Sequence, residues 1–268
     1  MPELPQVKGF VTYFKSTCLH KKIDTTYCED EDFIENTSCS YLQHVLNGRQ
    51  FIDVYRRGKY LIAELDDNHV FVLHFGMTGN LSYGLKKNVS DDDKQYAKVI
   101  LEFEKDYQLL LINVRKLGKL YLTTSLENIK PLKNMGPEPL KLEETNFITL
   151  LENHPNKNIK SFLMDQSLIA GIGNELSNEL LFQAEIDPHL KIKNINDKKR
   201  KKLYAAMQDI LKKAVNIFTK NKDSSQYPKS WLLAHQEDLV CPKNKKHDLK
   251  KETIAGRSAI YCPLHQSN

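Results

Sequence analysis

Residues 51–75 read FIDVYRRGKYLIAELDDNHVFVLHF. Three runs rich in Val, Ile, Tyr and Phe, at 51–55, 60–65 and 70–75, are separated by Gly58 and by Asp66-Asp67-Asn68. Branched and aromatic side chains suit a pleated surface, and Gly, Asp and Asn suit turns, so the stretch predicts consecutive antiparallel hairpins. The same pattern continues at 99–103 and 109–112, with Glu104-Lys105-Asp106 as the turn between them. The first half of the chain is therefore expected to be mainly β, a sandwich or barrel. Residues 90–94, with three consecutive Asp, read as a solvated loop tip.

Further along the chain, residues 125–143 contain Pro131, Asn134 and Gly136-Pro137-Glu138-Pro139, which interrupt every regular period and mark a domain boundary. Beyond it, 145–152, 159–164, 174–184 and 197–219 carry apolar residues at helical spacing. The last aligns Leu203, Met207, Ile210, Leu211, Ala214, Val215 and Phe218 on one face. The run Lys198-Lys199-Arg200-Lys201-Lys202 that opens it is either a solvated helix face or a phosphate contact. No internal repeat is visible.

A chain of 268 residues with 40% hydrophobic content can fill one large or two modest cores. No run approaches the ~18 apolar residues of a membrane helix, and Glu3 precedes the first Lys where a secretory signal would be basic. The expectation is a soluble, cytoplasmic protein without membrane partners. Its net charge of +5 is too modest to indicate a nucleic-acid ligand without a favourable distribution. Five cysteines, an odd number, argue against a disulfide framework and point to metal binding.

Three local patterns carry chemistry. Met1-Pro2-Glu3-Leu4-Pro5 either stiffens an extended N-terminus or, once Met1 is trimmed, presents Pro2 as a secondary-amine nucleophile. An α-amino group has a reference pKa of about 7.7–8.0, so a useful fraction is unprotonated near neutrality. Attack on a sugar aldehyde carbon would give an iminium, with Glu3 as adjacent acid or base. Gly171 and Gly173, just before a helix starting at Asn174, either free backbone N–H groups for an anion such as phosphate or make a tight helix connection. Cys241 and His247, followed by Cys262 and His265, bring soft S and N ligands together on turns as a structural zinc requires. The first half is irregular, since Asn244 stands where a second Cys is expected, and a metal-free hairpin or a Cys241–Cys262 disulfide are the alternatives. Between the halves, Ala255-Gly256-Arg257 reads as a hairpin turn able to present Arg257 to a phosphate.

With these residues assembled, the chain resembles the formamidopyrimidine-DNA glycosylase and endonuclease VIII family nearly end to end. Four separated motifs agree in order: 1–5; Arg57-Gly58-Lys59-Tyr60-Leu61 with His74-Phe75-Gly76-Met77-Thr78-Gly79; 165–179; and Ala255-Gly256-Arg257 with Tyr261-Cys262-Pro263. The resemblance implies an α+β fold of two domains: an N-terminal antiparallel β-sandwich, and a helical domain with a helix-two-turn-helix and a zinc-binding β-hairpin, with DNA in the cleft between them. The implied segments are 1–130, 131–222 and 223–268. It also implies a monomer acting on damaged DNA, with one structural Zn2+ and no small-molecule cofactor.

By the same resemblance Pro2 attacks C1′ of the damaged nucleotide, Glu3 assists sugar-ring opening, and Lys59, Asn174 and Arg257 hold the flanking phosphates. The lesion swings out of the stack, and Met77, Arg115 and Leu117 fill the space it leaves, Arg115 facing the orphaned base. The implied activity is a bifunctional glycosylase and abasic-site lyase favouring formamidopyrimidine-type purines. Alternatives are a preference for oxidised pyrimidines or abasic sites, or a noncatalytic damaged-DNA-binding module.

Three features depart from the family pattern. Gln6 replaces a second Glu, and Leu117 replaces an aromatic common in one branch. Residues 222–236 lack the Gly-rich opening of the lesion-capping loop. Trp231 is expected either to pack against the zinc hairpin or to stack on a base. His74 is expected to be a structural hydrogen-bonding residue, not a catalytic base.

Overall fold

The strand runs from 51 onward, joined by an earlier strand at Ile23–Cys28, form two four-stranded antiparallel sheets in the computed structural model, which describes residues 1–28, 30–220 and 227–267. The chain divides into two units, Met1–Asn134 and Met135–Asn268.

The first unit opens with α1 (Leu4–Cys18), β1 (Ile23–Cys28) and α2 (Cys39–Leu46). It continues through β2 (Phe51–Arg57), β3 (Tyr60–Leu65), β4 (Val70–His74), β5 (Gly79–Leu85), α3 (Asp91–Tyr96), β6 (Ala97–Phe103), β7 (Tyr107–Asn113) and β8 (Lys119–Thr123), closing with α4 (Lys130–Lys133). The sheet orders are β1-β6-β7-β5 and β2-β3-β4-β8. Leu61, Phe71 and Leu120 from one sheet and Leu81, Val99 and Leu109 from the other belong to one continuous core, as a sandwich requires. α1 adds Val7, Phe10, Val11 and Phe14 to that core. Phe14 is fully buried and packs edge-on against Phe51, so truncating it to Ala would cost about 3–5 kcal/mol.

The acidic stretch expected to be a loop tip is helical. Ser90 caps α3 by accepting the N–H of Asp93 at 3.1 Å, and Asp91, Asp92 and Asp93 sit in the first turn, where carboxylates suit the helix dipole. This helix accounts for the unbroken apolar run in β7. Leu109 and Leu111 face the sandwich core, whereas Leu110 and Ile112 form a second cluster with Val89, Tyr96 and Ile100.

The cysteine reading also needs correction. Cys28 and Cys39 are joined by a disulfide, their Cα atoms 5.3 Å apart, because α2 packs on β1. An odd count cannot reveal a pairing made by tertiary proximity. Cys18, Cys241 and Cys262 are free.

In the second unit α5 (Glu144–Glu152), α6 (Ile159–Met164), α7 (Asn174–Gln183) and α8 (Asp197–Lys220) surround Phe147, Phe162, Leu180, Leu181, Met207 and Leu211, followed by the hairpin β9 (Lys250–Ile254) and β10 (Arg257–Tyr261). Trp231 joins this helical core, 4% exposed and stacked on Tyr227 with ring centroids 5.8 Å apart. It belongs to the helical core and not to the hairpin's own cluster. The basic opening of α8 is partly neutralised within the unit: Arg200 pairs with Asp197 at 3.3 Å, and Lys202 with Glu185 at 2.8 Å. No helix among the described residues is long and apolar enough to cross a membrane.

Candidate active site

Glu3 is the N-cap of α1 and is only 1% exposed, whereas Pro2 just before it is half-buried. A capping box closes the turn: the Glu3 carboxylate accepts the N–H of Gln6, and Gln6 Oε1 accepts the N–H of Glu3 at 3.1 Å. Pro5 is tolerated because first-turn N–H groups lack helical partners. The helix carrying this terminus is anchored by burial, and Phe10 stacks on Phe75 with centroids 4.3 Å apart.

Lys59 follows Gly58 in the tight β2–β3 turn and is 7% exposed. Its ammonium is close enough to His74 to add to the burial that pushes that imidazole down to about 4. His74 is therefore neutral, and its Nδ1 accepts the N–H of Gly76 at 3.3 Å. The ring leans on Tyr60, its cross-strand partner, at 4.8 Å. A half-buried, neutral acceptor holding a turn is a structural role.

Met77, Arg115 and Leu117 are all exposed, Met77 by 42% and Leu117 by 48%. They lie on two adjoining loops, the β4–β5 turn and the β7–β8 turn. Arg115 donates its backbone N–H to Thr78 Oγ1 at 3.0 Å, so the structure brings these sequence-distant residues together. Gly76 has φ of +60°, and a Cβ there would come within 2.4 Å of the Leu117 backbone. Only glycine allows that approach.

In the second unit Gly173 caps α7, and Asn174 is its first residue, as read from the sequence. The Gly171 N–H is not free for a ligand: it donates to Gln166 Oε1 at 2.8 Å. Lys160 was not singled out from the sequence. It is fully buried on α6, with Nζ 2.9 Å from Ser177 Oγ, 2.5 Å from Asn178 Oδ1 and 3.4 Å from the Asn174 carbonyl, tying α6 to the first turn of α7. Glu179, also fully buried, accepts from Leu233 N–H at 3.0 Å and Gln183 Nε2 at 2.8 Å. Burial raises its carboxyl to about 7. Helical spacing places both residues on inward faces, and that coincidence of charge with an apolar face is the signal that could have found them. Arg257 is exposed at the start of β10, after a two-residue turn in which Ala255 and Gly256 both have positive φ, 51° and 75°. Such a turn matches the strand twist and gives the arginine a fixed base.

Cys241, His247 and Cys262 present ligand atoms that all lie within 4.8 Å of one another. The long Cys241-to-His247 spacing is folded back by two backbone bonds, Cys241 N–H to the His247 carbonyl at 2.9 Å and Asn244 N–H to the Cys241 carbonyl at 3.2 Å. Two thiols and an imidazole at this separation fit a tetrahedral zinc, whose Zn–S and Zn–N bonds are about 2.3 and 2.0–2.1 Å. His265 is not in this group. Its Nε2 lies 3.1 Å from the Phe182 carbonyl, and its ring leans on Phe182 at 4.5 Å. Of the stretch 222–236, residues 222–226 lie outside the described residues.

The model of the formamidopyrimidine-DNA glycosylase N-terminal domain matches residues 1–120, and that of the H2TH domain of the same enzyme matches residues 135–226. The chain belongs to the formamidopyrimidine-DNA glycosylase family. The formamidopyrimidine-DNA glycosylase of Mycoplasma pneumoniae is 30% identical over 272 residues, covering 98% of each chain. That of Arabidopsis thaliana is 29% identical over 98% of this chain and 70% of its own. Among solved structures, wild-type Lactococcus lactis Fpg in complex with N7-benzyl-Fapy-dG-containing DNA has a TM-score of 0.84 and 26% identity, covering 100% of both chains. The L. lactis protein in complex with abasic-site DNA gives the same TM-score and identity, covering 99% of this chain and 100% of that one. For a formamidopyrimidine-DNA glycosylase family member, Gln6 in place of a second Glu leaves the first turn intact, because its amide completes the capping box.

Proposed function

We propose that this chain is a base-excision repair glycosylase for oxidised bases, formamidopyrimidine-type purines foremost, which also cleaves the strand at the resulting abasic site. The observation that carries this reading is Pro2 at the head of α1, beside a buried carboxyl, in a chain related to formamidopyrimidine-DNA glycosylases over 98% of its length. Removal of Met1 frees the amine. Its nitrogen lone pair forms a bond to C1′ as the glycosidic bond breaks, the pair of that broken bond leaving with the base. Glu3 takes the proton that the attacking amine sheds and delivers it to the ring oxygen as the sugar opens to an iminium. The iminium acidifies C2′; loss of that proton expels the 3′ phosphate, and hydrolysis returns the amine.

Lys59, Asn174 and Arg257 contact backbone phosphates, for which a compact ammonium, an amide at a helix N-terminus and a planar guanidinium are suited. Met77, Arg115 and Leu117 fill the helix where the lesion has left it. One zinc, held by Cys241, His247 and Cys262, keeps the hairpin of Arg257 folded. The protein acts on damaged DNA as a monomer.

Borohydride trapping tests the chemistry. Protein lacking Met1 is incubated with duplexes bearing a formamidopyrimidine, 8-oxoguanine, an oxidised pyrimidine or an abasic site. A covalent band with at least one is expected, and Pro2→Gly should abolish or strongly slow it. No band on any duplex, at a concentration that binds DNA, would leave a noncatalytic damaged-DNA-binding module.

A further inference from the structure

Met77 and Arg115 are 38 residues apart in sequence, yet their loops are built as one body. Thr78 Oγ1 accepts the Arg115 N–H at 3.0 Å. Asn113 Oδ1 accepts the Leu117 N–H at 3.2 Å, and the Asn113 carbonyl accepts the Lys116 N–H at 3.3 Å. The Asn113 side chain is sealed in, 1% exposed, with its amide nitrogen filling the space where a Cβ on Gly118 would stand. Lys116 adopts φ of +53°, which is unfavourable for a residue with a Cβ and persists only where neighbours enforce it. Its ammonium reaches Asp30 at 3.7 Å, and Asp30 is itself held by Lys98 at 3.1 Å. Met77, Arg115 and Leu117 nevertheless remain exposed above this fixed base.

We infer that Thr78 and Asn113 are positioning residues: Thr78 couples the two loops and Asn113 fixes the shape of its own, so that Met77, Arg115 and Leu117 enter the DNA as one rigid wedge. Opposite-base discrimination then depends on two side chains whose hydrogen bonds are spent on loop backbone. A wedge acts only if its parts arrive in register, because ordering them separately on the DNA would be unfavourable at each contact. This inference rests on the reading of Met77, Arg115 and Leu117 as void-filling residues.

The test compares single-turnover rates on two substrates. One is a duplex with a formamidopyrimidine opposite cytosine or adenine; the other is a single strand with an abasic site, which has neither an opposite base nor a helical void. Thr78→Val removes the acceptor at nearly constant volume, Asn113→Leu removes it within a filled core, and Asn113→Asp retains an acceptor oxygen. Thr78→Val and Asn113→Leu are expected to slow duplex excision about tenfold and to shrink the cytosine-to-adenine ratio, with single-strand cleavage within about twofold of wild type; each such factor of ten is a modest free-energy change. Asn113→Asp should restore the duplex rate. Equal slowing on both substrates, or no slowing on either, overturns the inference, and Thr78→Val decides it if Asn113→Leu does not fold. Leu117→Ala and Arg115→Ala are run alongside. If these change duplex excision while Thr78→Val does not, the coupling alone fails. If they leave duplex rate and base ratio untouched, the void-filling reading fails with it.

Discussion

Gln6 Oε1 accepts the backbone N–H of Glu3 at 3.1 Å, so the side chain that replaces a family carboxylate fastens the turn bearing the proposed nucleophile. An amide makes this bond without placing a second negative charge beside the buried Glu3.

Removing that bond should be felt in both stability and chemistry. Gln6→Ala is expected to lower stability by about 1 kcal/mol, the usual worth of a lost cap, and to slow borohydride trapping several-fold by loosening Pro2. Gln6→Glu keeps an acceptor but adds a second negative charge beside Glu3, so its stability should fall between wild type and Gln6→Ala. Urea unfolding and trapping rates, measured on the same preparations, check both.

The metal group makes a second prediction. One zinc per chain is expected by elemental analysis, and a strong chelator should release it and weaken DNA binding, because the Cys241–His247 loop and the hairpin of Arg257 share the ligands' framework. Cys262→Ala should reproduce the loss. Unchanged affinity after verified zinc release would show that Arg257 needs no metal to be presented.

A third prediction concerns pH. Burial, helped by Lys59, depresses His74 from 6.5 to about 4. The unfolded chain therefore takes up a proton between these values while the folded chain does not. The stability this neutral histidine contributes is fully present above about 6.5 and declines as pH falls toward 4, by up to about 3 kcal/mol. Glu179 works in the opposite sense: raised from 4.5 to about 7, it favours the fold at low pH, and that benefit is lost as pH rises through 7. The difference between wild type and His74→Asn isolates the histidine, since Asn retains an acceptor for Gly76 without titrating. Urea midpoints should converge as pH falls from 7 to 4, wild type losing more; parallel curves would place His74 outside this account.

Much of this architecture is legible in local pattern. The hairpins after 51 follow from alternation and turn residues, and α6 and α7 begin where their apolar period begins. α1 was legible too, with Leu4, Val7, Phe10, Val11, Phe14 and Cys18 at helical spacing, but Pro2, Pro5 and Gly9 disguise it unless the prolines are recognised as first-turn residues. Likewise Ser90 followed by three Asp is the signature of a capped helix start and resembles a loop only when charge is weighed without position.

Residue chemistry and short-range periodicity are local properties, and by itself the sequence determined the β-then-α order, the Pro2-Glu3 start, the Asn174 helix terminus and the Arg257 hairpin. What brings distant residues together is decided by packing. Tertiary structure alone joined Cys28 to Cys39, gathered three of four metal-ligand candidates, moved Trp231 into the helical core and bonded Thr78 to Arg115. Each depends on a distance between chain segments that no local pattern encodes.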